Sequence, residues 1–212
     1  CDTVHSPAPS TGSVRQDVGV PRPRLLTTDD WPEAELRAAV LAGELVSVGP
    51  CWASPAEPQD PALRAAAAAW ALPDVRLVAA HRTAAWVWGA VSRPPLPHEC
   101  VVPAHVRLRV DPATVRVREV ALSPHDVTVL GGLRVTTPLR TGIDLLRAPG
   151  PAAGVMNVAD TEAVQGLVGA GVVGTDELLL ALRSLGVVPM ARQAERRLTA
   201  MFGAGVFGAG AI

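Results

Sequence analysis

The sequence predicts an α+β protein, with strands in the middle of the chain and helices at both ends. Three observations carry that expectation. Apolar residues alternate with arginine in "VRLRV" (106–110) and "VRVRE" (115–119), the period of strands with one face turned to a core. In the last third, apolar residues recur at helical spacing from "NVADTEAVQGLV" to "ARQAERRLTAMF". Proline and glycine cut the chain into short elements, as at Gly49-Pro50, Pro73 and Gly89.

Taken in order, residues 1–24 are rich in proline and serine without periodicity and read as a disordered leader. Order is expected from "LLTTDDWPEAELRAAVLAGELVSVGPCWASP" onward. There Asp30 and Glu33 suggest a capping box, Pro32 a first turn, and Leu36, Val40 and Leu41 an apolar stripe ended by Gly43. "ELVSV" and "CWASP" read as a small hairpin across Gly49-Pro50. A helix follows Asp60-Pro61, then a short strand in "VRLVAA" and a buried helix in "HRTAAWVWGA". The strand in "ECVVP" precedes the two arginine runs, which read as a hairpin across "DPAT". "GGLRVTTPLRTGIDLLR" runs from strand into helix, with Thr137 as N-cap and Pro138 in the first position. Three helices follow, and the glycine-rich end, 202–212, reads as a flexible tail.

At 212 residues the chain is long enough to bury a substantial core. A formal net charge of −1 and 49% hydrophobic residues argue against a disordered chain and against a protein that coats nucleic acid non-specifically. All its basic residues other than histidine are arginine, which fits a GC-rich coding bias and weakens any argument from the choice of arginine over lysine. Cys1, Cys51 and Cys100 are odd in number and widely spaced, as in a reducing cytoplasm. Cys1 followed by "SPAPSTGS" also suits a lipid-tethered terminus; no apolar run is long enough for a membrane span, and a cytoplasmic location is expected.

"AAHRTAAWVWGA" and "GLRVTTPLRTGIDLLR" carry a resemblance. The first is similar to a Ser-His-Arg-Ser/Thr-Ala-Ala helix and the second to a Val-Thr-Ser/Thr-Pro-x-Arg-Thr strand-to-helix passage. Together with "ADTEAVQGLVGAGVVGTDELLLALRSLG", their order resembles the actinobacterial AbiEi-like group, antitoxins of a type IV toxin–antitoxin system, over roughly residues 33–200. The resemblance implies a winged-helix module that binds operator DNA, followed by a mixed α/β domain, 59–201. It also implies autoregulation beside a nucleotidyltransferase-type toxin. His81, Arg82, Thr83, Thr137, Pro138, Arg140, Thr141 and Asp144 match its motifs and are expected to be structural. In many relatives a nuclease domain resembling very-short-patch repair endonucleases follows, so the chain also reads as the non-catalytic front segment of such a protein. The pattern departs at 25–58, where the sequence supplies a recognition helix and wing only. Arg37 is the one basic residue between Leu25 and Pro58, among Asp29, Asp30, Glu33, Glu35, Glu44 and Glu57, a composition that opposes phosphate binding.

The hairpin reading would set Arg109 opposite Arg116 and Arg107 opposite Arg118, and like charges across a ladder repel. Such a face suits an anionic partner, nucleic acid or toxin; it also reads as a solvated face, or 107–114 as a loop in which the arginines never align. Arg140 and Asp144 suggest an i,i+4 pair holding the strand-to-helix turn. "GAGVVG" (169–174) matches a phosphate-loop pattern, but Asp176 and Glu177 in the next helical turn repel phosphate, so an inter-helix loop is expected. His98, Cys100 and His105 lack a fourth zinc ligand, and Cys100 reads as a small buried hydrophobe. No catalytic residue, metal or cofactor is expected: the chain reads as a non-enzymatic regulator that acts by binding.

Overall fold

The computed structural model describes residues 25–152, 154–186 and 188–203. The leader expected at 1–24 and the 204–212 part of the tail lie outside the described residues. The α+β expectation holds: two sheets precede a helical final third.

The first sheet is antiparallel, in the order β1 (Leu25–Leu26), β3 (Cys51–Ala53), β2 (Val46–Val48). Gly49 turns the β2–β3 hairpin at φ +58°, and its backbone lies against the Trp86 ring, so there is no room for a side chain. Before it runs α1 (Glu33–Leu41). The expected capping box at its start is absent. Asp30 instead accepts hydrogen bonds from the Thr27 amide and hydroxyl, both at 2.9 Å, and Pro32 stands at the N-cap position. The expected stripe is also narrower: Leu36 is buried, but Leu41 is 90% exposed. The Asp30 carboxylate thus closes a turn back onto Thr27, three residues before it.

In α2 (Pro61–Ala71) the start is as expected, with Asp60 accepting from the Leu63 amide at 2.8 Å. The second sheet is mixed, in the order β6 (Val115–Glu119), β5 (His98–Val102), β4 (Val78–Ala79), β8 (Leu133–Thr136), β7 (Val127–Leu130). Between β4 and β5 lies α3 (His81–Val87). One face of this sheet packs with α2, Trp86 and the first sheet into a core that includes Cys51 and Cys100. The other face buries a smaller patch of Val78, Ala80 and Val101 under Val120, Leu122 and Val127.

The arginine hairpin is overturned. Val106–Val110 forms no strand, and β6 pairs parallel to β5. Alternating apolar residues tell which side faces a core, not which neighbour supplies the ladder, and the hairpin register would have stacked like charges. Val106, Leu108 and Val110 still pack against the core.

A second core joins α4 (Pro138–Arg147), α5 (Val158–Gly169), α6 (Thr175–Ser184) and α7 (Ala191–Phe202). Of the expected loop Gly169 to Gly174, Gly169 closes α5 and Ala170 to Gly174 connects it to α6. Arg197 of α7 is buried, and its guanidinium donates to the carbonyls of Leu146, Ala148 and Val155, each at 2.8 Å. It thereby supplies the donors that the C-terminal end of α4 lacks. Arg197→Met, which keeps bulk but removes the donors, should cost about 3 kcal/mol in urea unfolding, since hydrogen bonds to charged groups contribute about 1.5–3 kcal/mol each and do not add fully. An unchanged unfolding midpoint would show that water replaces the guanidinium. No helix among the described residues is long and apolar enough to cross a membrane.

Candidate functional site

The chemistry of the chain gathers where the small face of the second sheet meets the helices. Residues in register on parallel strands share a face, so the pairs Glu99↔Arg116 and Val101↔Arg118 put these four side chains on one side of β5 and β6. His98, Cys100 and Val102 point to the opposite side. α3 starts two residues after β4, which brings Arg82 over Glu99. Glu99 accepts from the Arg82 amide at 3.0 Å and from its guanidinium at 2.9 and 3.3 Å. The Glu99 amide donates to the Thr83 hydroxyl at 2.7 Å. Arg116 lies 3.8 Å from the same carboxylate, and Arg82 reaches Asp160 of α5 at 3.5 Å. A chain of alternating charges thus runs from the sheet edge through β5 and α3 to α5.

Burial alone would raise the Glu99 carboxyl, but the hydrogen bonds and charge of Arg82 outweigh it and hold the group below the usual carboxylate range. Asp160 goes the other way: burial dominates and raises it despite Arg82. His81 adopts a left-handed backbone at φ +48°. Burial lowers its pKa, against the opposing field of Asp144, with Arg118, Glu99 and Asp160 also acting on the ring, so it is neutral at pH 7. Arg140 donates to Asp144 at 2.9 Å and to Asp126 at 3.0 Å, and Thr137 caps the Arg140 amide at the start of α4. Thr141 and Thr136 share a 2.7 Å hydrogen bond at the same turn, and Pro138 takes the first helical position. The indole of Trp88 donates to the Thr136 carbonyl at 2.8 Å.

This arrangement balances carboxylates against guanidiniums. Burial first, then a nearby carboxylate in each case, pushes the Cys51 and Cys100 thiols up to about 12, which removes them as nucleophiles at neutral pH. Among the described residues no group of histidine, cysteine, aspartate and glutamate has a metal-holding geometry.

The arginines read from the sequence fall into three places. Arg116 stands exposed beside Glu99 and Arg118 beside Val101 on the same face; Arg107 and Arg109 stand exposed on the unpaired segment before β6. A cavity of about 590 Å³ is lined by residues from both stretches. Arg37 is on α1, apart from the other four, and is held by Glu33 at 2.6 Å. Arg82 joins Glu99, Asp160 and Arg116 in one ionic cluster, Asp144 joins Arg140 and Asp126 in a second, and His81 lies within the field of both. Glu99 and Asp160, the carboxylates of the first cluster, escaped the sequence reading. The signal for Glu99 was present: a carboxylate inside "HECVV", a run otherwise fit for a buried strand, requires a cation nearby.

A family model described as the AbiEi antitoxin C-terminal domain matches residues 77–194, more than half of the chain. The match begins at β4 and ends within α7, so it contains both ionic clusters and leaves the first sheet, α1 and α2 outside. No curated protein matches the chain.

Proposed function

We propose, starting from the chain's membership of the AbiEi antitoxin C-terminal domain family, that it is a non-enzymatic antitoxin-like regulator acting by binding. Its partners on this reading are operator DNA, a nucleotidyltransferase-type toxin, or both, met in the cytoplasm. The observation that carries the reading is the cationic rim at β6. Arg107, Arg109 and Arg118 make no ion pair among the described residues, and Arg116 has only the 3.8 Å approach to a Glu99 already held by Arg82. The half-buried Arg82 and Arg140, by contrast, are each paired with two carboxylates. An exposed rim with spare positive charge suits an anionic surface. α1, the recognition-helix candidate at 25–58, is a weaker candidate for phosphate contact: Glu33 and Glu35 open it, and its single arginine is already paired.

The test is retention on operator-region DNA across a salt series, comparing the parent chain with Arg107→Ala/Arg118→Ala. Binding should weaken with salt. The double variant should lower the slope of log affinity against log salt by about 2, roughly 1 for each phosphate contact removed. Absent or salt-independent retention removes DNA from the reading. Co-purification with the neighbouring toxin, lost in the same variant, then decides for the protein partner.

A further inference from the structure

The cleft beside β6 has features that simple charge attraction does not use. β6 is an edge strand. The His98 amide donates to the Thr114 carbonyl at 2.8 Å and the Val120 amide to the Val102 carbonyl at 3.0 Å. Bonding residues alternate along a parallel ladder, so Arg116 and Arg118 bond to β5, while Val117 and Glu119 turn their N–H and C=O groups outward. Among the described residues nothing pairs with that outer side. Across the cleft, the backbone of Arg107 to Val110 makes no backbone hydrogen bond either. Val102, Leu108 and Val117 supply apolar lining, while Arg107, Arg109 and Glu119 supply charge.

We propose that this cleft receives an acidic, extended segment of a partner protein, which adds to the outer edge of β6 as a strand between the two arginine runs. The inference rests on the binding reading above and narrows it to one class of partner. Direct pairing of the two runs would set arginine against arginine; an intervening acidic strand turns that repulsion into attraction on both sides. Alternate side chains of such a strand meet the apolar lining, and its backbone satisfies the outward groups of Val117 and Glu119, the usual mode of strand addition. A nucleic-acid backbone offers neither the alternating donors and acceptors nor the apolar side chains. The Glu119 carboxylate excludes an acidic residue at its own end of the cleft.

The experiment uses the full chain, isotope-labelled, with a blocked synthetic peptide of alternating valine and glutamate as probe. Amide hydrogen exchange at Val117 and Glu119 should be fast in the free protein and slow once the peptide binds. A peptide with lysine in place of glutamate should give no protection. Val117→Pro removes an outward N–H at an edge position that tolerates proline, and should lower peptide affinity by roughly tenfold or more. The same variant should leave the salt-dependent DNA retention unchanged. Peptide binding without protection of these two amides, or undiminished by Val117→Pro, overturns strand addition while leaving the cationic-rim reading standing. So does slow exchange at both amides in the free protein, which would mean that Val106–Val110 itself occupies the edge. No peptide binding, or protection of the same amides by duplex DNA, also overturns it.

Discussion

Gly166→Ala should destabilise the protein by about 3 kcal/mol, although the position lies inside a helix where alanine is intrinsically favoured by about 1 kcal/mol. Gly166 is in α5, and a methyl group there would overlap the backbone carbonyl of Ala90, just beyond α3. A flexible side chain could turn aside; a carbonyl can move only if α3 and α5 separate. That separation would also pull Asp160, on α5, away from Arg82, on α3. The overpacking therefore lies at the upper end of its usual range, and the melting temperature should fall by roughly 6–12 °C for a chain of this size. Gly169→Ala is the control. It is the last residue of the same helix, with nothing within 4 Å of the added methyl, and should be neutral or stabilising by up to about 1 kcal/mol. Equal melting temperatures for the two variants would show that the α3–α5 contact is not close.

The contrast between these glycines marks the limit of what the sequence discloses. Local signals were legible because their physics is local. Asp60-Pro61 and Thr137-Pro138 start helices by satisfying amides within one turn, and the acidic first turn of α6 marked the glycine-rich stretch before it, Ala170–Gly174, as a connection rather than a phosphate loop. The α+β class followed from such signals. What depends on a distant partner was not legible. Gly166 and Gly169 are alike in sequence context; only the approach of Ala90 separates them. The alternation in "VRVRE" correctly assigns its valines to the core side, yet cannot tell a parallel neighbour from an antiparallel one. Asp30 carries a capping residue's chemistry, but its carboxylate turns back to the Thr27 amide, and the N-cap of α1 falls two residues later, at Pro32. The candidate site was half visible: motif spacing selected His81, Arg82, Arg140 and Asp144, but Glu99 and Asp160 enter only through ion pairs between separate elements.

Glu99→Gln is expected to cost about 2–3 kcal/mol at pH 7. Removing one partner of a buried pair typically costs about 3–5 kcal/mol, because the remaining charge is left without its counter-ion. Two features move this site to the lower side. The Arg82 side chain is 29% exposed, and it retains Asp160. Adding Arg82→Met to Glu99→Gln should recover part of the loss, since the stranded cation is then removed. The pH dependence separates this account from a simple packing defect. The folded-state pKa of Glu99 lies below its ordinary value of 4.5, so its contribution is complete above that pH and is lost as pH falls through the folded value. The difference between parent and variant should therefore be constant from pH 7 to about 5 and shrink below 4.5. His81 and His98 are lowered by burial from 6.5, so the unfolded chain takes up protons first and both proteins weaken as pH falls below that value. Asp160, raised by burial, acts in the opposite sense: its unfavourable ionisation is relieved as pH falls. The His98 contribution is common to parent and variant; Glu99 also raises His81 and Asp160, so the difference in urea midpoints reports Glu99 together with its field on these two groups. A difference that stays the same down to pH 3 would sink the ion-pair account. Loss of the Glu99 charge also frees Arg116, so the variant, measured where it is fully folded, should hold an anionic partner at least as tightly as the parent.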